Sequence, residues 1–201
     1  MQRLLSYCLL FGVLSSPFVM ANEPNFSYSS FGLVFGKSDV SGFDDDLIDM
    51  GVKASLEIEK GLFLFADLMQ NRKDNIDASG VDVQVDQIRA GVGFAFPVQA
   101  DLDLVTSVSY VKTGAELCLQ NNCQELKDKS WRLDAEANYW LTANMDASVN
   151  IGYLEYDQGD QNETLYGVGF GYWPAQNHRI GLSYQVFDEA NSVAVNYRIS
   201  Q

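Results

Sequence analysis

Polar and apolar residues alternate one for one in ten short segments of this 201-residue chain. The clearest segment is 48–59, where Ile, Met, Val, Ala and Leu occupy one parity and Asp, Gly, Lys, Ser and Glu the other. Successive side chains of an extended strand point to opposite faces. The pattern therefore predicts strands that have one apolar face and one polar, partly ionised face.

The N-terminus has the features of a secretory signal peptide. Arg3 precedes an apolar run from Leu4 to Met20, and the chain becomes polar directly after Ala21. A basic start, an apolar stretch and small or branched residues before the break are what a signal peptidase recognises. We therefore expect residues 1–21 to be removed and residues 22–201 to form one exported domain.

Two kinds of connection separate the expected strands. Short turns are predicted at 59–61, 97–101, 142–144 and 174–179, and longer, mostly acidic loops at 38–46, 73–83, 114–129, 157–163 and 188–191. Short turns on one rim and long loops on the other are typical of outer-membrane barrels. The ten strands themselves are predicted at 26–37, 47–58, 62–72, 84–96, 102–113, 130–141, 145–156, 164–173, 180–187 and 192–199.

Strand length and the absence of long apolar runs support the same fold class. A tilted strand crosses the hydrocarbon layer in about 9–11 residues, whereas a helix needs about 20 apolar ones, and no such run follows Ala21. We predict an all-β fold: a closed antiparallel transmembrane β-barrel of ten strands, with eight as the alternative. We expect the protein to lie in the cell outer membrane. An even strand number would place both of its termini in the periplasm.

The polar parity is too ionised for the dry core of a soluble sheet, because buried charges must be paired. A narrow lumen would allow opposite charges to pair with one another. The residues expected to form this lumen ion-pair network are Lys53, Glu57, Asp67, Arg89, Arg132, Asp134, Glu136 and Arg198. A solvent-facing soluble sheet is the alternative interpretation.

Aromatic residues and glycines fit the same orientation of the strands. On the apolar parity, rings are expected near one membrane boundary at Phe94, Phe96, Tyr139, Phe170, Tyr172 and Tyr197, and near the other at Tyr110, Trp131, Tyr153 and Tyr166. Such girdles flank the apolar band of membrane barrels. Inward glycines at 91, 93, 167, 169 and 171 are expected to make room for large neighbours such as Phe65 and Trp140.

Two features of the outer loops could carry chemistry. Cys118 and Cys123 are expected to form a disulfide in an oxidising compartment. A metal site is disfavoured, because it would require more ligands and the neighbouring Gln and Asn residues are poor ones. Asp44, Asp45 and Asp46 could bind a divalent cation that also bridges lipopolysaccharide phosphates. Their spacing is not that of a calcium loop, and solvated loop carboxylates are the favoured interpretation.

Short matches along the chain resemble the Ax21 family. They are the segments 87–94 (QIRAGVGF), 100–105 (ADLDLV) and 150–155 (NIGYLE). That family consists of small outer-membrane barrels of Gram-negative bacteria, similar in type to the transmembrane domain of OmpA. The resemblance supplies no catalytic motif. Such barrels usually end on an aromatic residue that the barrel assembly machinery recognises, whereas this chain ends Ile199-Ser200-Gln201, so Tyr197 and Ile199 would have to serve.

The sequence favours a non-enzymatic role. His178, the only histidine, falls in an expected periplasmic turn, away from the outer rim where barrel enzymes place theirs. The formal net charge is -14, and 12 basic minus 27 acidic residues leaves -15 once Arg3 is removed, which argues against nucleic-acid partners. No cofactor is expected.

Three functional classes remain open. The favoured one is a barrel with a plugged, ion-paired interior and a structural or interaction role in the envelope. Its partners would be outer-membrane lipid and lipopolysaccharide, the assembly machinery and divalent cations at the acidic loops. The second is a narrow, weakly cation-preferring, porin-like channel, and the third a secreted soluble β-sheet adhesin.

Overall fold

A computed structural model describes residues 25–41, 46–76, 81–119, 122–157, 162–188 and 190–201, excluding the side chains of residues 75 and 76. The expected signal peptide therefore lies outside the described residues. Ten strands are formed: β1 (Ser30–Val40), β2 (Leu47–Glu59), β3 (Leu62–Ile76), β4 (Val81–Gln99), β5 (Leu102–Leu119), β6 (Asn122–Thr142), β7 (Met145–Tyr156), β8 (Asn162–Ala175), β9 (His178–Val186) and β10 (Ala190–Ser200).

The strands form a closed antiparallel barrel in which each pairs with its neighbours in sequence. The barrel closes where β1 pairs with β10, in a register that aligns Ser30 with Ser200 and Val40 with Ala190. Closure leaves no unpaired strand edge, and this satisfies the requirement that backbone polar groups in lipid be hydrogen-bonded. The prediction of a closed ten-stranded antiparallel barrel is confirmed, and the eight-stranded alternative is wrong.

The two rims of the barrel differ. At the rim where the described chain enters at residue 25 and ends at residue 201, which we call the terminal end, short turns join β2 to β3, β4 to β5, β6 to β7 and β8 to β9. Gly61 in the first of these turns has a φ of 75°, a conformation that favours glycine. The opposite rim, the loop end, carries the remaining connections.

The apolar parity faces outward around the whole barrel. Among the described residues, exposed large apolar side chains outnumber buried ones, with Phe35 56 % and Leu133 56 % exposed. Tyr110 and Trp131 are register partners on β5 and β6, and their rings lie 5.4 Å apart on this outer surface. Within the described residues no helix is long and apolar enough to cross a membrane, a finding that concerns helices alone.

Most strand boundaries differ from the sequence-based ones by a few residues, and three of the differences matter for the lumen and the loops. β1 begins at Ser30 instead of residue 26, because the preceding residues leave the ladder and enter the barrel. Strands β5 and β6 continue through most of the expected loop 114–129 as a long hairpin. β9 begins at His178, so Arg179 lies in a strand and not in a turn.

Candidate functional site: the barrel lumen

Aromatic side chains pack together at the terminal end of the lumen, and we call this layer the aromatic floor. The floor comprises Phe26 and Tyr28 from the segment before β1, and Phe63, Phe65, Trp140 and Trp173 from the barrel wall, packed with Ala95 and Val105. Phe26 stacks on Trp140 with ring centroids 4.6 Å apart, and Tyr28 stacks on Phe63 at 5.0 Å. Stacked aromatic pairs contribute about 0.5–1.5 kcal/mol beyond the area they bury.

Asp103 anchors the segment that enters the barrel. This fully buried carboxylate accepts hydrogen bonds from the backbone N–H groups of Asn25 (3.0 Å) and Phe26 (3.1 Å). It also accepts from the Asn25 amide (2.7 Å) and the Tyr28 hydroxyl (3.2 Å). Burial, and after it the charge of Asp103, raises the pKa of Tyr28, so the hydroxyl stays protonated and donates.

Above the floor lies a compact group of charges, the four-residue cluster of Asp67, Arg89, Arg132 and Asp134. Arg89 Nη2 donates to Asp134 Oδ2 (2.9 Å), and Arg132 Nη2 donates to Asp134 Oδ1 (2.7 Å). Asp67 Oδ2 lies 3.7 Å from Arg89 Nη1. These side chains are at most 14 % exposed. Two arginines and two carboxylates therefore balance one another inside the barrel.

A second ion pair joins Asp146 on β7 to Arg179 on β9. Arg179 Nη2 donates to Asp146 Oδ1 (2.6 Å) and Arg179 Nε to Asp146 Oδ2 (2.8 Å), the two-pronged geometry that suits a guanidinium. Trp173 Nε1 also donates to Asp146, and Asn196 Oδ1 accepts from Arg179. A Cβ added at Gly171 or Gly181 would collide with Arg179. The guanidinium therefore occupies space that these two glycines leave empty.

The remaining residues of the expected network are not brought into ion pairs. Lys53, Glu136 and Arg198, the unpaired trio, line the lumen without a salt bridge or hydrogen bond to any described residue. Arg198 places its guanidinium carbon 5.1 Å from the ring centre of Trp173, and its buried Nε has no acceptor. Glu57 accepts from the N–H of Gly61 (2.8 Å) and so supports the β2–β3 turn at the terminal rim.

The loop end of the lumen is mainly apolar. Leu47 and Val83 are buried there, packed with Val40, Val81, Val85 and Leu117. Asp49, 2 % exposed, accepts from the hydroxyls of Ser38 (2.6 Å) and Ser192 (3.0 Å) and from the Asn71 amide (2.6 Å). Among the described residues, the hydrogen-bond donors to this buried carboxylate are all neutral.

A cavity of about 320 Å³ remains between the floor and the loop end. Its charged lining consists of Lys53, Asp67, Arg89, Arg132, Asp134, Glu136, Asp146, Arg179 and Arg198. These are five cations and four carboxylates. The lining therefore carries a formal charge of about +1 within a chain whose net charge is -14.

The loop features have simpler geometries. A disulfide joins Cys118 to Cys123, which are register partners near the end of the β5–β6 hairpin. Of the proposed cation loop only Asp46 is described, and it lies 3.5 Å from Lys37 Nζ, while Asp44 and Asp45 lie outside the described residues. His178 Nδ1 lies 2.6 Å from the Tyr197 hydroxyl on the neighbouring strand, at the terminal end.

Sequence reasoning missed four ionised residues of the lumen: Asp49, Asp103, Asp146 and Arg179. The first three lie on the inward parity of predicted strands, so alternation alone could have identified them. Arg179 was missed because the predicted turn 174–179 includes it, whereas β9 begins at His178. The entry of residues 25–29 into the barrel has no signal in the alternation, because segment 26–37 can be read as one strand.

The chain is similar to a number of solved structures at low sequence identity. Solved structures similar to the chain include the β domain of the Bordetella autotransporter BrkA, at 12 % identity and a TM-score of 0.50, covering 88 % of this chain and 100 % of that one. Neisserial surface protein A is 12 % identical over 86 % of this chain and 95 % of that one, with a TM-score of 0.47. The attachment invasion locus protein Ail of Yersinia pestis is 13 % identical over 85 % and 95 %, with a TM-score of 0.46.

At these identities the likeness concerns the fold alone, and no curated protein matches the chain. The narrower resemblance to the Ax21 family stays a prediction. A family model described as "Outer membrane protein beta-barrel domain" matches residues 6–185. The chain therefore belongs to the outer-membrane protein β-barrel domain family, whose place is the outer membrane.

Proposed function

We propose that this protein is a non-enzymatic barrel whose closed lumen stabilises a rigid cylinder and whose acidic loops are presented outside the cell. In this orientation the terminal end and both termini lie in the periplasm, as is usual for barrels with short turns on the terminal rim. The role is structural or interactive within the envelope. It requires neither transport through the lumen nor a catalytic group.

The observation that carries the proposal is the aromatic floor. Phe26 and Tyr28 are 6 % and 9 % exposed, and together with Phe63 and Trp173 they fill the terminal end of the lumen. Four hydrogen bonds to Asp103 hold the entering segment in place. Hydrated ions could pass only if this packed layer were displaced, because removing their water in apolar packing has a large free-energy cost.

A narrow channel is the second candidate, and the cavity above the floor favours it. The cation preference expected from the net acidity has no support in the lining, which counts five cations against four carboxylates. Any conduction would therefore follow the local charge of the lumen and not the charge of the loops.

Planar-bilayer conductance of the refolded mature chain tests the proposal. The wild-type protein should be electrically silent, and a Phe26→Ala, Tyr28→Ala double variant should show ion conduction because the floor is emptied. The matched control is Phe31→Ala with Phe35→Ala, which removes two outward rings and leaves the floor intact. Steady conductance of the wild-type barrel would establish the channel and reject the closed lumen.

The lipid partner is proposed from the outward surface. Lys112 and Lys129 are exposed register partners directly beyond Tyr110 and Trp131, where basic side chains can reach lipid phosphates. Divalent cations would link the acidic loops to lipopolysaccharide in the same layer. If so, a chelator should increase the protease sensitivity of the loops in lipopolysaccharide-containing vesicles. Unchanged sensitivity would remove the metal from the proposal.

Assembly and topology are tested separately. Tyr197 and Ile199 lie outward on β10 and would serve as the signal for the barrel assembly machinery. Replacing both by Ser should reduce the heat-modifiable, membrane-bound form in cells. Replacing Tyr184 and Val193, which are outward on β9 and β10, is the control for lost apolar surface. Protease added to intact cells should cut the loops and spare both termini.

A further inference from the structure

Two cations of the lumen, Lys53 and Arg198, line the cavity without a salt bridge to any described carboxylate, although Asp146 and Glu136 lie near enough to Arg198 to attract it. Lys53 on β2 and Arg198 on β10 are both register partners of Gly32 on β1, one on each side. Because adjacent strands lie about 4.8 Å apart, their Cα atoms are separated by roughly 10 Å at one level of the barrel. Gly32 has no side chain, so no side chain on β1 separates the two cations at this level of the lumen.

The nearby carboxylates are used elsewhere. Asp67 is the register partner of Lys53 on β3, but its ion pair is with Arg89 (3.7 Å). Asp146 is bound through both oxygens by Arg179 and also accepts from Trp173. Glu136 is the third member of the unpaired trio and contributes one negative charge to the same cavity. The trio therefore has a net formal charge of +1 with no internal salt bridge.

Arg198 is the more constrained of the two cations. Its guanidinium lies over the face of Trp173, and its buried Nε has no acceptor in the structure. A buried donor without an acceptor costs roughly 1–3 kcal/mol unless water or a ligand satisfies it. The cavity next to it, about 320 Å³, is within the size range of small-molecule sites, about 300–1,000 Å³.

We propose that the lumen cavity is a binding site for a small monocarboxylate, held by Arg198 and Lys53. A guanidinium can donate two parallel hydrogen bonds to a carboxylate, and the Lys53 ammonium adds a second charge from the other side of Gly32. Glu136 disfavours ligands with more than one negative charge, because it would repel the second. Side-chain amides of Asn138, Asn150 and Gln185 in the lining are available to polar groups on the ligand.

The inference is independent of whether the barrel conducts. If the floor is closed, the cavity is a pocket with no exit through the terminal end. If the lumen conducts, the same two cations form a binding site within the channel. The binding experiment below and the conductance experiment above can therefore fail separately.

The indole N–H signals of the three tryptophans provide the readout. Trp173 lies beneath Arg198, whereas Trp131 is 53 % exposed on the outer surface and serves as an internal reference. The full mature chain, refolded in micelles in the presence of lactate at constant ionic strength, should show a saturable shift of the Trp173 signal. Trp131 should not move, and lactamide, a neutral molecule of the same size, should give no shift.

Variants assign the effect to the two cations. Arg198→Gln should weaken lactate binding by about tenfold or more, and Lys53→Gln by a smaller factor, since each removes a charge-assisted hydrogen bond. Arg198→Lys keeps the charge and should recover part of the affinity, which separates lost binding from lost folding. Lys127→Gln, at an exposed lysine paired with Glu125, is the matched control and should bind like the wild type.

The proposal is overturned by any of three outcomes. The Trp173 signal stays in place up to the highest lactate concentration used, lactamide shifts it equally, or Arg198→Gln binds lactate as tightly as the wild type. Heat-modifiable gel mobility of each variant shows that the barrel is folded when these comparisons are made.

Discussion

The aromatic floor and the charged middle of the lumen are neighbouring layers of one barrel that are held by different forces. The floor is packed from rings and needs the segment before β1 to complete it. The middle is held by ion pairs between strands and keeps a cavity of about 320 Å³. The difference implies that the proposed closure of the lumen would depend on the floor, whereas the ion pairs join strands of the wall and leave a cavity beside them.

The largest effect is expected from Asp134→Asn in the charged middle. This change leaves Arg89 and Arg132 without their shared carboxylate, and breaking a buried ion pair costs about 3–5 kcal/mol. The free energy of unfolding, measured by urea titration in lipid or detergent, should decrease by an amount near the lower end of that range, because water in the cavity can partly solvate the two arginines.

Glu125→Gln is the control for this prediction. It removes an ion pair with Lys127 whose side chains are more than half exposed, and such pairs contribute little. Equal destabilisation by the two variants would mean that the four-residue cluster behaves like a surface pair.

The next largest effect is expected from Phe26→Ala in the floor. The loss of burial and of stacking on Trp140 should cost about 2–4 kcal/mol, since Phe26 is 6 % exposed. Because residues 25–29 lie outside the strand ladder, we expect this cost to appear as local opening. Hydrogen exchange of residues 25–29 should accelerate while the strands stay protected.

Phe35→Ala on the outer face is the matched control. It removes a ring of the same size without touching the floor. If Phe26→Ala instead lowered the protection of all strands equally, the floor would be an integral part of the barrel fold and not a separate layer.

A smaller effect is expected from Gly171→Ala beside the second ion pair. The added Cβ would collide with Arg179 and Asp146, and overpacking of this kind costs about 1–3 kcal/mol. Gly114→Ala meets nothing within 4 Å and is the control. Thermal unfolding should separate the two variants, and similar unfolding temperatures would contradict the tight packing at Arg179.

The smallest effect is expected at the loop end. Cys118→Ser with Cys123→Ser opens a ring of few residues in a hairpin that the strand ladder already orders, so the barrel should lose less than about 3 kcal/mol. The consequence should be faster proteolysis of the hairpin tip. Thiol labelling of the denatured, unreduced wild-type protein should find no free thiol after residue 21, and two reactive thiols would disprove the bridge.

The sequence alone determined which side chains face lipid and which face the lumen. A strand has a period of two, so the apolar parity of each strand, once it is placed outward, puts Lys53 on β2, Asp67 on β3 and Arg89 on β4 inward, and a register slipped by one residue would expose the charged parity to lipid. The strand number, the order of the strands and the closed topology followed from counting these alternating segments and the turns between them.

Only the tertiary structure decided which of the inward charges meet. Asp134 lies beside Arg132 on β6 but reaches Arg89 on β4 over the intervening strand β5, and Asp146 meets Arg179 because two glycines leave space for the guanidinium. Such contacts depend on curvature and on side-chain length, and neither is encoded in the alternation. The same holds for the floor, because nothing local distinguishes Phe26 and Tyr28 from residues of a first strand. Alternation fixes the face on which a side chain lies, and the register and curvature of the closed barrel fix which inward side chains become its neighbours.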